Sequence, residues 1–69
     1  MLYSISWIEN RRDERRVFYG DSEEEVREDI RLYAERTRLD VRYLKIEKHP
    51  RGLWLEGKFW PAEERKRNA

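Results

Sequence analysis

Few residues in this chain are suited to catalysis or to holding a metal. The single histidine, His49, precedes Pro50 in a segment that predicts a tight turn, and no nucleophile lies near it in the sequence. The 69 residues include no cysteine, so thiolate zinc ligands, a thiol nucleophile and disulfides are all excluded. We therefore expect His49 to be an exposed turn residue, and we expect no metal, no cofactor and no enzymatic activity.

The most concentrated acidic segment favours the start of a helix over a cation site. Glu23, Glu24 and Glu25 are consecutive, and successive helical residues point in different directions. Ser22 followed three residues later by Glu25 forms a capping box, and acidic residues in a first turn interact favourably with the helix dipole. The three glycines of the chain form no phosphate-binding loop.

Residues suited to binding are better represented, because aromatic and basic side chains alternate in the predicted strands. One face of the predicted third and fourth strands carries Lys45 and Lys58, and by alternation Tyr43 and Trp54 share it. Trp60 joins them if its strand continues without interruption. An open sheet face of this composition is typical of an interaction surface.

The second predicted strand adds one of two pairs to this face: either Arg16 with Phe18, or Val17 with Tyr19. The candidate partner-binding residues are Arg16, Phe18, Tyr43, Lys45, Trp54, Lys58 and Trp60. The alternative is that these rings only cover one another and the aliphatic stems of lysine and arginine, as cross-strand pairs do.

The elements that position these residues begin with two strands. Residues 2–9 alternate between large apolar residues and serine, which is typical of a half-buried strand. Residues 10–14 are all polar and predict a hairpin loop. Residues 15–19 predict a second strand that ends at Gly20.

An amphipathic helix is predicted over residues 23–37. Val26, Ile30 and Ala34 recur at helical spacing, and Arg36 lies in the last turn, where a cation complements the dipole. The expected ion pairs on its exposed side are Glu23 with Arg27, Glu28 with Arg31, and Arg31 with Glu35.

After the helix, residues 40–48 predict a third strand, residues 49–52 a tight turn and residues 53–60 a fourth strand. The resulting prediction is an α+β fold of two layers in the order β-β-α-β-β. Its four-stranded, mainly antiparallel sheet consists of two hairpins, with the helix packed on one face and the other face bare. Residues 1–60 form a single domain, and residues 61–69 a charged, frayed tail.

Composition limits the classes of partner. Charged residues make up 45% of the chain and hydrophobic residues 38%, while the net charge is only +1. No apolar run approaches the ~18 residues of a membrane span, and the N-terminus lacks a signal-peptide pattern, so we expect a cytoplasmic protein without membrane contact. A pI near 8.1 is low for a nucleic-acid-binding domain.

The sequence therefore predicts a small non-enzymatic module that acts by protein–protein contact. A nucleic-acid-binding domain with an aromatic-basic sheet face is the alternative, and a homodimer whose bare faces meet is the third. In length and compactness alone, the chain resembles the small single-domain proteins of phages and mobile elements that block a host enzyme. That resemblance implies an inhibitor or adaptor.

Overall fold

The computed structural model describes residues 1–63 and shows one helix and five strands. In chain order the elements are β1 (Leu2–Glu9), β2 (Arg12–Tyr19), α1 (Glu23–Thr37), a 3₁₀ turn (Val41–Tyr43), β3 (Lys45–Lys48), β4 (Leu53–Leu55) and β5 (Lys58–Trp60). The described part of the chain contains no helix with the length and apolar character needed to cross a membrane.

A two-residue turn joins β1 to β2. Asn10 and Arg11 have φ angles of 51° and 64°, the left-handed backbone that matches a tight hairpin turn to the twist of its strands. The loop predicted over residues 10–14 is therefore too long. Its last three residues instead pair with β1, and each strand has eight residues.

Helix α1 confirms the predicted span and its capping box. The Ser22 Oγ atom accepts a hydrogen bond from the Glu25 backbone N–H at 3.2 Å, and the Glu25 carboxylate accepts one from the Asp21 N–H at 3.1 Å. The helix ends at Arg38, whose φ of 61° breaks the helical backbone. The three predicted ion pairs are present on the exposed side, Glu23 with Arg27 at 3.2 Å, Glu28 with Arg31 at 2.6 Å, and Glu35 with Arg31 at 3.1 Å.

The strands form two sheets. β1 is the central strand of a three-stranded antiparallel sheet with the order β2-β1-β3, in which Ile5 pairs with Ile46. β4 and β5 pair only with each other in a separate two-stranded sheet. The α+β class is confirmed, whereas the prediction of a single four-stranded sheet is wrong.

Two local features interrupt the predicted third and fourth strands. In residues 40–48, the Asp40 carboxylate accepts a hydrogen bond at 3.0 Å from the backbone N–H two residues later and begins the 3₁₀ turn. In residues 53–60, Glu56 and Gly57 have φ angles of 51° and 75°. Those angles form a second tight turn, so the predicted fourth strand folds back on itself.

The core lies between α1 and one face of the three-stranded sheet. Tyr3 and Ile5 of β1 contact Val26 and Ile30 of the helix, and all four are buried. This arrangement confirms the alternation predicted for β1. The partly buried residues that pack around this core are Met1, Trp7, Phe18, Tyr33 and Leu44.

The opposite face of the sheet is covered at one end, so the expectation of a bare face is wrong there. Leu2 and Ser4 each expose only 1% of their surface. The turn at residues 49–52 is present as predicted, but it carries the chain across this face instead of returning beside β3. His49 is half-buried rather than exposed, because its Nε2 atom lies 2.7 Å from the Ser4 Oγ atom.

The segment after β5 also contacts this end of the sheet. The Tyr19 ring lies 6.4 Å from the Trp60 ring, and the Tyr19 hydroxyl donates to the Pro61 carbonyl at 2.6 Å. The Glu63 carboxylate pairs with the amino group of Met1 at 3.1 Å. Pro61 and Glu63 of the predicted tail therefore contact the domain, and residues 64–69 lie outside the described part.

Candidate binding clefts beside strand β2

The seven predicted binding residues lie in three places rather than on one face. Arg16 and Phe18 lie on the helix side of the sheet, because Phe18 pairs with the core residue Tyr3. Tyr43 and Lys45 line a cleft on the opposite side. The remaining three, Trp54, Lys58 and Trp60, belong to the β4–β5 hairpin.

The two-residue turn of the β4–β5 hairpin separates Trp54 from Trp60. Trp54 pairs with Phe59 across the hairpin, and the two ring centroids lie 5.2 Å apart. Trp60 pairs with Leu53 on the other hairpin face and contacts Tyr19. The expectation that Trp60 shares the face of Trp54 required an unbroken strand, and the turn reverses the alternation instead.

A cleft of about 780 Å³ lies between the sheet face opposite α1 and the turn of the β4–β5 hairpin. We call it the sheet–hairpin cleft. It is lined by Ser6, Trp7, Ile8, Asp13, Glu14, Arg15, Tyr43, Lys45, Leu55 and Glu56. Ile8 exposes 75% of its surface and Tyr43 exposes 76%, so the cleft presents large apolar groups to solvent.

Charges of both signs surround these apolar groups. Strand alternation directs the Glu14 side chain to the helix side with that of Arg16, so the cleft itself has two carboxylates, those of Asp13 and Glu56, and two cations, those of Arg15 and Lys45. The Lys45 ammonium also lies 3.6 Å from a carboxylate oxygen of Glu47, outside the lining. The sheet–hairpin cleft therefore favours cationic over anionic groups.

A second cleft, of about 580 Å³, lies on the other face of the sheet between β2 and α1. We call it the helix–strand cleft, and it is lined by Arg16, Phe18, Asp29, Leu32, Tyr33, Glu35 and Arg36. Three of these side chains lie against the Tyr33 ring. The guanidinium carbons of Arg16 and Arg36 lie 4.7 and 5.9 Å from the Tyr33 ring centroid, and Phe18 meets the ring edge-on at 5.6 Å.

The helix–strand cleft has more available positive than negative charge. Neither Arg16 nor Arg36 forms an ion pair with a carboxylate among residues 1–63. Glu35 pairs with Arg31 at 3.1 Å, so of the two carboxylates in the lining only that of Asp29 forms no ion pair within residues 1–63. Two guanidiniums therefore remain for an acidic group of a ligand.

Sequence reasoning missed several of the residues that line the clefts. Ile8 carried a usable signal, since alternation places this apolar residue on the serine side of β1. The helical spacing of Tyr33 from Val26 and Ile30 places it beside the apolar stripe of the helix, and nothing in that spacing indicates that Arg16 lies over its ring. Leu55 and Glu56 reach the sheet–hairpin cleft only because the predicted fourth strand is a hairpin.

Ser4 and His49 have the separation of a nucleophile and its base, but their surroundings are those of a structural hydrogen bond. Because Ser4 is 1% exposed, a substrate carbonyl cannot reach its hydroxyl in this conformation. Within residues 1–63, no three histidine or carboxylate side chains are grouped so that they could hold a metal ion.

No protein-family model, curated protein or solved structure was found to match this chain.

Proposed function

We propose that this protein is a small non-enzymatic module that binds a protein partner through the sheet–hairpin cleft. The observation that carries the proposal is that Ile8 and Tyr43, each about three-quarters exposed, line the same concave surface. Leu55 adds a further apolar side chain to the lining. Apolar anchors in a cleft with a mixed-charge rim have the composition that protein interfaces use.

The charges of the cleft favour this function over nucleic-acid binding. Phosphate groups bind where cations accumulate, but the cleft has as many carboxylates, those of Asp13 and Glu56, as cations, and the cation of Lys45 lies 3.6 Å from a Glu47 carboxylate oxygen. Lys58, which the nucleic-acid alternative would use, lies 4.2 Å from the Trp60 ring and outside this cleft. A protein segment can match both signs of charge, whereas a phosphate backbone matches only one.

Three finer expectations belong to the same proposal. An inhibitor or adaptor role is supported only by the length, compactness and missing catalytic chemistry of the chain, whereas protein contact is also supported by the residues of the cleft. A cytoplasmic location is retained and is tested by fractionation of cells that express the tagged chain. A homodimer is the outcome expected if the cleft binds a second copy, and sedimentation at several concentrations tests it.

The direct test is to select peptides from a displayed random library on the immobilised protein, with single-stranded oligonucleotides assayed in parallel. Selected peptides should lose about tenfold or more in affinity on Tyr43→Ala, because an exposed aromatic anchor carries much of an interface. Trp54→Ala is the matched control, since Trp54 is similarly exposed, at 70%, and lies outside the cleft.

Two outcomes contradict the proposal. Peptide binding that is lost on Trp54→Ala and kept on Tyr43→Ala would move the interface to the outer face of the β4–β5 hairpin. Tight oligonucleotide binding in the absence of any selected peptide would favour the nucleic-acid alternative.

A further inference from the structure

Strand β2 is an edge strand of eight residues. Among residues 1–63, no strand pairs with its outer side. An edge of this length presents a row of backbone donors and acceptors that another extended chain can use. β2 is therefore a candidate surface for strand addition.

The hydrogen-bond pattern of the hairpin shows which residues face this edge. Met1 and Gly20 exchange both backbone hydrogen bonds, at 2.7 and 3.2 Å. In an antiparallel pair, alternate residues bond to the partner strand, so the residues of β2 that bond to β1 are the even-numbered ones. The amide and carbonyl groups of Asp13, Arg15 and Val17 therefore point toward the open edge.

The two clefts border this same strand on its two faces. Arg16 and Phe18 contribute to the helix–strand cleft, and no residue of β1 or β3 lines that cleft. Asp13 and Arg15 contribute to the sheet–hairpin cleft on the opposite face. Since side chains of a strand alternate between faces, a chain added beside β2 would direct alternate side chains toward the two clefts.

We propose that the partner binds as an extended segment that pairs with β2 as a fourth strand of the sheet, with acidic side chains on its helix-side face and basic side chains on the other. The acidic side chains would meet the guanidiniums of Arg16 and Arg36, and the basic ones the carboxylates of Asp13 and Glu56. The inference rests on the proposed function and adds the binding mode and the charge pattern of the partner.

A second copy of this chain is the competing occupant of the edge. Twofold symmetry about an axis perpendicular to the sheet places one residue of β2 opposite its own copy. The registers with the longest overlap are centred on Arg15 or Arg16, and each places two guanidiniums directly opposite one another. In the register centred on Arg16 nothing offsets that repulsion, whereas in the register centred on Arg15 two Glu14–Arg16 pairs flank it. Self-pairing is therefore limited to one register and is an outcome of the test below.

Two synthetic peptides test the charge pattern. Both keep the apolar residues of a peptide selected on the sheet–hairpin cleft. In the first, the other positions alternate between glutamate and lysine; in the second, the same charged residues occur in pairs, so that each face carries both charges. The alternating peptide should bind about tenfold or more tightly than its isomer, because only its faces match the two clefts. Equal affinity for the two peptides would contradict the proposed charge pattern.

Variants of the edge test the strand pairing itself. Arg15→Pro removes one outward amide donor, while Arg15→Ala removes the same guanidinium and keeps the donor. The peptides selected on the sheet–hairpin cleft should lose about tenfold or more in affinity on Arg15→Pro relative to Arg15→Ala. N-methylation of every second residue of those peptides should weaken binding when it removes the amides that bond to β2, and should not when it removes the amides that point away. This comparison tests the pairing even if Arg15→Pro fails to fold.

The outcomes separate this inference from the proposed function. Peptides that lose affinity on Tyr43→Ala, and keep it on Arg15→Pro and on N-methylation of either set of alternate residues, would overturn the strand pairing. That result would not contradict the protein-binding function. A failure to select any peptide would contradict both. A homodimer that Arg15→Pro dissociates and Arg15→Ala preserves would show that the edge binds a second copy, and would also overturn the inference.

Discussion

The Oγ atom of Ser4 and the Nε2 atom of His49 lie 2.7 Å apart, and this hydrogen bond connects β1 to the turn that crosses the sheet. His49 also donates its backbone N–H to the Leu2 carbonyl at 2.9 Å. A buried serine hydroxyl and a histidine 45 positions later thus attach the start of the turn that precedes the β4–β5 hairpin to the face opposite the helix.

Loss of the His49 side chain, which is hydrogen-bonded to Ser4, should destabilise the fold. His49→Ala leaves the buried Ser4 hydroxyl without its histidine, which should lower the free energy of unfolding by about 1–3 kcal/mol. The double variant Ser4→Ala/His49→Ala should recover part of the loss, since it removes the unsatisfied hydroxyl as well. Chemical denaturation measures both. If the double variant lost as much stability as the two single variants lose in total, the two side chains would not interact.

The glycines at positions 52 and 57 form a matched pair for testing the position of the β4–β5 hairpin. Both have left-handed backbones, with φ angles of 90° and 75°. Gly57→Ala should cost only about 1 kcal/mol of backbone strain, because nothing lies within 4 Å of an added Cβ atom. Gly52→Ala should cost more, because its Cβ atom would lie 2.5 Å from the Phe59 ring. Equal losses in denaturation would mean that Phe59 does not pack on Gly52.

Helix α1 depends on its N-cap. Ser22→Ala removes the acceptor for the Glu25 N–H and should cost about 1 kcal/mol, a large fraction of the stability of so small a domain. Ser22→Asp is the control, because aspartate is also a good N-cap residue and should preserve the midpoint of thermal unfolding. If Ser22→Ala left that midpoint unchanged, the capping bond would contribute nothing in solution.

Acidic pH should lower the stability of the folded state through protonation of Asp40. Hydrogen bonds from the Arg42 side chain and then its backbone lower the pKa of Asp40 from 3.8 to about 2. At a pH above the unfolded value the carboxylate is ionised in both states, and its stabilising effect is fully present. As the pH falls from 3.8 toward 2, only the unfolded chain gains the proton, so the folded state loses this contribution.

Asp40→Asn tests that dependence, because asparagine preserves the shape of the 3₁₀ cap and does not titrate in this range. The variant should show a smaller loss of stability than the wild type over that interval. An NMR titration of the Asp40 carboxyl with a midpoint near 4 would contradict the pairing with Arg42.

The elements that depend on local signals are the ones the sequence predicted well. The capping box at Ser22 and the apolar spacing of Val26 and Ile30 fix the helix within one stretch of chain. The alternation of Tyr3 and Ile5 likewise shows the core face of β1.

The wrong predictions have two causes. Some local segments fit a strand and a hairpin about equally well, and some elements depend on contacts between residues that are distant in the sequence. Residues 53–60 have the alternation of one strand, and only the left-handed backbone at Glu56 and Gly57 divides them. Whether β3 pairs with β1 or with the following segment is decided by packing, which no local pattern reveals. The clefts depend on both choices, so single residues such as Tyr43 could be identified as candidates while their grouping could not.

The central claim is that the partner is a protein held mainly by apolar contacts in the sheet–hairpin cleft. The most direct measurement is the affinity of a selected peptide, and of a single-stranded oligonucleotide, across salt concentrations from about 50 to 500 mM. Peptide affinity should change only a few-fold across this range, because desolvated apolar contacts are not screened, and it should fall on Tyr43→Ala. Oligonucleotide binding tighter than that of any peptide, with a log–log salt slope of about −3 or steeper, would contradict the claim.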